Sequence, residues 1–108
     1  LKIESPTIVA TEEIIWIRED GGEILIQAII GKPYEQLAAW ACPAALIGVD
    51  GRYPDIVGES SMQALYLAMR LIRQRLEHLI EAGEVLVYRN DRKCRWDLDS
   101  LNTLFGLG

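Results

Sequence analysis

From Met62 to about Ala82 the chain carries apolar side chains at helical spacing, and this stretch constrains the fold more than any other. Met62, Leu65, Met69, Ile72, Leu76 and Leu79 advance by alternating steps of 3 and 4, so a helix gathers them on one face. Ser60 or Ser61 supplies the N-cap hydroxyl. Gly83 supplies the residue able to take the left-handed conformation that ends a helix. Arg73 and Glu77, at i and i+4, mark a wet face. Leu67 and Leu71 fall off the stripe and form a second ledge, continued by Gln74 and His78. A helix apolar on two sides needs two neighbours, so this ledge is expected to meet another part of the chain or another molecule.

The layer beneath the stripe is expected to be a sheet. Thr7 to Ile17 is rich in β-branched and aromatic residues and reads as strand, with a bulge or a break at Glu12-Glu13. Glu19-Asp20-Gly21-Gly22 makes a turn, and Glu23 to Ile30 returns as the second strand of a hairpin. Gly31-Lys32-Pro33 ends it, since Pro33 has no N–H for a ladder. Tyr34 to Leu37 reads as loop. Ala38 to Ile47 is expected as a third strand, because Pro43 breaks a helix but is tolerated at a strand edge or bulge. After a turn at Val49-Asp50-Gly51-Arg52, Tyr53 to Val57 reads as a short edge strand. Beyond the helix, Val85 to Tyr88 and Lys93 to Leu98 form a hairpin across Asn90-Asp91-Arg92, and Asp99 to Gly108 a helical turn and tail. The expectation is a single α+β domain over residues 1–108. Its antiparallel β-sheet of about four to six strands packs against one long α-helix, in the order β-β-β-β-α-β-β.

Eleven basic and sixteen acidic side chains give a net charge of −5 and a pI near 4.8, the wrong sign for a protein that gains affinity from phosphates. Nucleic acid is therefore an improbable partner. Residues 1–59 hold four basic and ten acidic groups, and residues 60–108 seven and six. Those seven, Arg70, Arg73, Arg75, Arg89, Arg92, Lys93 and Arg95, are read as pairing with helix acids such as Glu77 and Glu81 or keeping the hairpin soluble, ahead of an anion-binding patch. No apolar run approaches the ~20 residues that span a bilayer, and no basic leader is seen. Cys42 and Cys94 are read as free thiols of a reducing cytosol, each a small buried hydrophobe. With one histidine and two isolated cysteines no metal site is expected, and no cofactor motif is present. His78, near the helix C-terminus, suits the dipole there without any catalytic role. Asp50, Asp55 and Glu59 cluster before the helix, where ordinary folding also places acids. Catalysis is not expected from any of these groups.

Trp16, Trp40 and Trp96 fall in expected strands and read as core, each burying its ring while its N–H finds a partner. Trp40 is the exception to watch, because Pro33 and Pro43 both break ladders near it. A pocket between the helix start and the Lys32–Trp40 loop would bring Lys32, Tyr34 and Trp40 to Gln63, Tyr66 and Arg70. Ile30-Gly31-Lys32-Pro33, Trp40, Cys42-Pro43, Ile47-Gly48 and then Ser61-Met62-Gln63-Ala64-Leu65 with Leu67-Ala68 resemble a family of small bacterial domains of unknown function. In that family an IGxP…WxCP…IxG segment precedes an SxQALxLA helix. The likeness covers residues 24–80 and implies a bacterial, cytosolic domain with no catalytic residues to transfer. The expected function is a non-enzymatic interaction domain, immunity- or chaperone-like at most. It would be a homodimer or a binder of another protein, using Leu67 and Leu71. The alternative is a small-molecule binder or enzyme using the pocket at the helix start.

Overall fold

The computed structural model describes residues 2–106. In chain order the elements are β1 (Ile8–Ile17), β2 (Glu23–Gly31), β3 (Tyr34–Gln36), β4 (Ala39–Cys42), β5 (Ala44–Ile47), β6 (Gly51–Arg52) and β7 (Ile56–Gly58). Then come α1 (Ser61–Glu81), β8 (Val85–Tyr88), β9 (Asp91–Arg95) and α2 (Leu98–Phe105). The fold is α+β, but its strands divide between two antiparallel sheets. Six form the order β6-β5-β2-β1-β8-β9, and three form β3-β4-β7.

The division comes from Pro43. The single strand expected over 38–47 is in fact two, β4 and β5, which pair in different sheets on either side of this buried proline. Pro43 cannot donate to a ladder, so the chain turns there. Its ring lies against Gly31, where a Cβ would come within 2.7 Å of the Pro43 Cβ. The Gly31 N–H donates to the Pro43 carbonyl at 2.9 Å. Tyr34 to Gln36, expected as loop, pairs with β4 as an edge strand instead. The irregularity in β1 falls between Ile8 and Ala10, not at Glu12-Glu13. After the helix, β9 begins at Asp91 and Trp96 lies just beyond its end. The expected terminal turn is a two-turn helix, α2, capped by Asp97.

Helix α1 starts and stops where its caps dictate. The Ser60 side chain accepts from the Gln63 N–H, and the Gln63 side chain accepts from the Glu59 N–H at 2.6 Å. At the other end Gly83, with φ +88°, lets the Glu84 N–H reach the Leu79 carbonyl at 3.0 Å, as in a Schellman motif. The buried stripe, however, is Ala64, Ala68, Ile72 and Leu76, and Met62 is 80% exposed. Alanine decides this rotation. Gly58 of β7 approaches so closely that its Cβ would sit 2.6 Å from the Ala64 nitrogen, which only small residues permit. Leu65, Met69, Leu79 and Ile80 flank the stripe as partly buried neighbours of the core. From the sheet, Ile14, Ile26, Leu46 and Leu86 complete that core, with Cys42 and with Leu101 of α2.

Candidate functional site

The residues expected to form a pocket do not converge. Lys32 is exposed, and its backbone N–H donates to the Thr7 carbonyl at 2.7 Å. The Tyr34 hydroxyl donates to Asp55 at 2.6 Å. Trp40 lies opposite Glu35 and Gly58 in the three-stranded sheet, half-buried against the core. Gln63 is occupied in capping α1. Tyr66 and Arg70 lie beside α2, where with Met69, Arg73 and Phe105 they line a cavity of about 50 Å³. The Gly31, Trp40, Pro43 and Gln63 positions of the segment singled out in the sequence thus perform packing and capping.

The acidic residues before the helix are likewise spoken for. Asp55 is buried, and it accepts from the Ile3 N–H at 2.9 Å, the Tyr34 hydroxyl, and Arg52 at 2.8 Å. It thereby ties the N-terminal segment, β3 and β6 to one carboxylate. Burial pushes the Asp55 carboxyl up, but the hydrogen bonds from Tyr34, Arg52 and Ile3 more than offset it and hold it below the usual range. Burial and the same bond push the Tyr34 phenol up to about 12. Asp50 makes a second, more exposed knot, accepting from Tyr53 at 2.5 Å and from Arg75 at 2.7 and 3.1 Å. Arg75, chiefly through its hydrogen bonds, holds the Asp50 carboxyl down. In both knots the polar groups satisfy one another, which suits holding a fold better than moving protons.

Of the seven clustered basic residues, Arg73 pairs with Glu77, Arg75 with Asp50, Arg89 with Glu13 and Arg92 with Glu23. Most of their charge is thus matched within the chain. Arg73, read from sequence as lying on a wet face, is largely covered and also donates to Asn102, joining α1 to α2. Cys42 is buried and donates to the Gly31 carbonyl at 3.4 Å, whereas Cys94, expected to be buried too, is exposed. Among the described residues no group of His, Cys, Asp and Glu could hold a metal ion. No helix there is long and apolar enough to cross a membrane. The indole N–H groups of Trp16 and Trp96 are buried without a protein acceptor, contrary to expectation, and Trp96 stacks on Tyr88 at 4.5 Å.

The surface that sequence reading missed is the outer face of the six-stranded sheet. Cross-strand partners share a face. The registers place Ile15, Ile17, Leu25, Gln27, Ile29, Ala45, Ile47, Val85 and Val87 on the side opposite α1, with Ile15, Ala45 and Val87 buried there. Leu25 is 38% and Ile47 39% exposed. Neither helix packs on this side among the described residues. It also carries charges of both signs, with Glu13 of β1 beside Arg89, and Glu23 of β2 meeting Arg92 of β9 although β1 and β8 lie between those strands. The signal was present in the consecutive apolar residues Ile14-Ile15-Trp16-Ile17, because a strand apolar at both parities is apolar on both faces. Leu67 and Leu71, by contrast, are half-buried within this chain.

A protein-family model described as a domain of unknown function (DUF6968) matches residues 14–98, from the middle of β1 to the start of α2. No curated protein and no solved structure matches the chain.

Proposed function

The chain belongs to the DUF6968 family, a domain of unknown function, and from that premise we propose a non-enzymatic interaction domain of the bacterial cytoplasm that works as a homodimer. Its two copies meet through the outer faces of their six-stranded sheets. The observation that carries this reading is the outer face of the six-stranded sheet, where the exposed Leu25 and Ile47 stand beside Gln27 among ion pairs of both signs. Exposed apolar side chains in a polar surround suit an interface. A two-fold axis sets one patch against the same patch of a second copy, so Leu25 and Ile47 can meet their own kind. At about 4.8 Å between strands and 3.3 Å per residue, the sheet has a flat footprint of roughly 500–600 Å² before side-chain relief. A standard interface buries about 800 Å² per partner, so the face is of the right order.

Leu67 and Leu71 offer less free area than Leu25 and Ile47 and are the weaker candidates for this contact. The small-molecule reading asks Lys32, Tyr34, Trp40, Gln63, Tyr66 and Arg70 to share one cleft, and they occupy separate places. Sedimentation at high micromolar concentration tests the proposal: the wild type runs as a dimer, and a Leu25→Asp/Ile47→Asp variant runs as a monomer with an unchanged far-UV spectrum. A strictly monomeric wild type would overturn it.

A further inference from the structure

Strand β8 is short. It pairs with β1 only at Ile14–Ile17, so on that side the backbone of Ile8–Glu13 has no strand partner among the described residues. An open stretch of six residues is about 20 Å of unpaired N–H and C=O groups, the template on which an extended chain adds as a further strand. Beside it, on the side facing the helices, lies an apolar cavity of about 110 Å³ whose lining includes Ala10, Ile30, Met69, Leu104 and Phe105. A strand laid along β1 turns every second side chain toward α1 and α2, and this cavity is where one of them enters.

Charge selects the occupant. Glu12 faces the same side and lines the cavity, and it has no hydrogen-bond or ion-pair partner among the described residues. Its neighbour Glu13 is already paired with Arg89. Residues 8–13 contain no Lys or Arg, so self-pairing of this edge across a two-fold axis brings no cation to Glu12 from the segment itself. We infer that the Ile8–Glu13 edge of β1 binds an extended segment of a partner protein in which an apolar side chain and a basic one stand two residues apart, and so on the same face. The apolar chain fills the Met69–Phe105 cavity and a basic one meets Glu12. This site lies on an edge of the sheet, apart from the outer face proposed for dimerisation.

The probe is a labelled, end-capped octapeptide with threonine at odd positions and valine and lysine in turn at even ones, so that one face carries both, titrated by fluorescence anisotropy. Saturable binding is expected, with new amide protection at residues 8–13, and alternate backbone N-methylation of the peptide abolishes it. Glu12→Lys weakens binding about tenfold and shifts preference to the same peptide with glutamate in place of lysine. The Leu25→Asp/Ile47→Asp variant still binds. A peptide that binds a monomeric wild type leaves this inference standing while the dimer reading fails. Loss of binding in Leu25→Asp/Ile47→Asp overturns the edge site and leaves the dimer. No saturation at millimolar peptide, indifference to Glu12→Lys, or protection confined to β6 or β9 overturns it as well.

Discussion

Asp55 is the one charged side chain buried in the molecule among the described residues, and it shows how a sequence position can look chemical and act structurally. Folding lowers its pKa below the ordinary 3.8. The stabilisation it contributes is therefore complete above about pH 4 and lost as the pH falls through the folded value. Denaturant melts of the wild type should show that loss on acidification. Asp55→Asn should flatten the acid limb and cost about 2–4 kcal/mol at neutral pH, since one accepting oxygen becomes an NH2 donor and Arg52 loses its counter-charge. The cysteines divide in the same residue-by-residue way. Burial, with the nearby Asp55 charge, pushes the Cys42 thiol up to about 11, so it stays protonated, while Cys94 is open to solvent. A thiol-reactive dye should titrate one equivalent in the native protein and two in denaturant; two fast native equivalents would refute this burial. Cys42 met the expectation of burial and Cys94 did not, because a cysteine in a sequence carries no record of what covers it.

At the scale of the elements, the helix was legible and its orientation was not. Apolar spacing, a serine cap and a terminal glycine mark α1 at both ends, all of them local signals. Which face goes inward was decided by Gly58, whose backbone reaches Ala64 and makes the alanine line the buried one. Gly58→Ala should push β7 off the helix and cost about 1–3 kcal/mol, measured by urea melts; a neutral substitution would mean that the contact is slack. Pro43 is the same lesson in the strands. The sequence announces that a ladder breaks there, and correctly excludes helix. The sheet to which each half then belongs depends on Gly31, Gly58 and β2, which lie 12 or more residues away.

For the molecule as a whole, layering matters most. A chain of this mass is expected to expose about 6,100 Å², and this one exposes 6583 Å² along a long axis of 47 Å. The excess fits a main sheet with helices on one side only. If a second copy covers the other side, the melting temperature should rise with protein concentration for the wild type and not for Leu25→Asp/Ile47→Asp; a concentration-independent wild type would refute the coupling. The sequence by itself determined the class of fold, the ends of the long helix and the first hairpin. Each of these follows from side-chain period, capping or composition within a short window. Only the tertiary structure decided that the strands form two sheets, that alanines face the core, that Lys32, Tyr34 and Gln63 stand apart, and that Leu25 and Ile47 on one sheet face and part of one strand edge lie exposed. Those outcomes depend on close packing between residues distant in the chain, where a missing Cβ or a proline ring selects among arrangements that local propensity leaves equal.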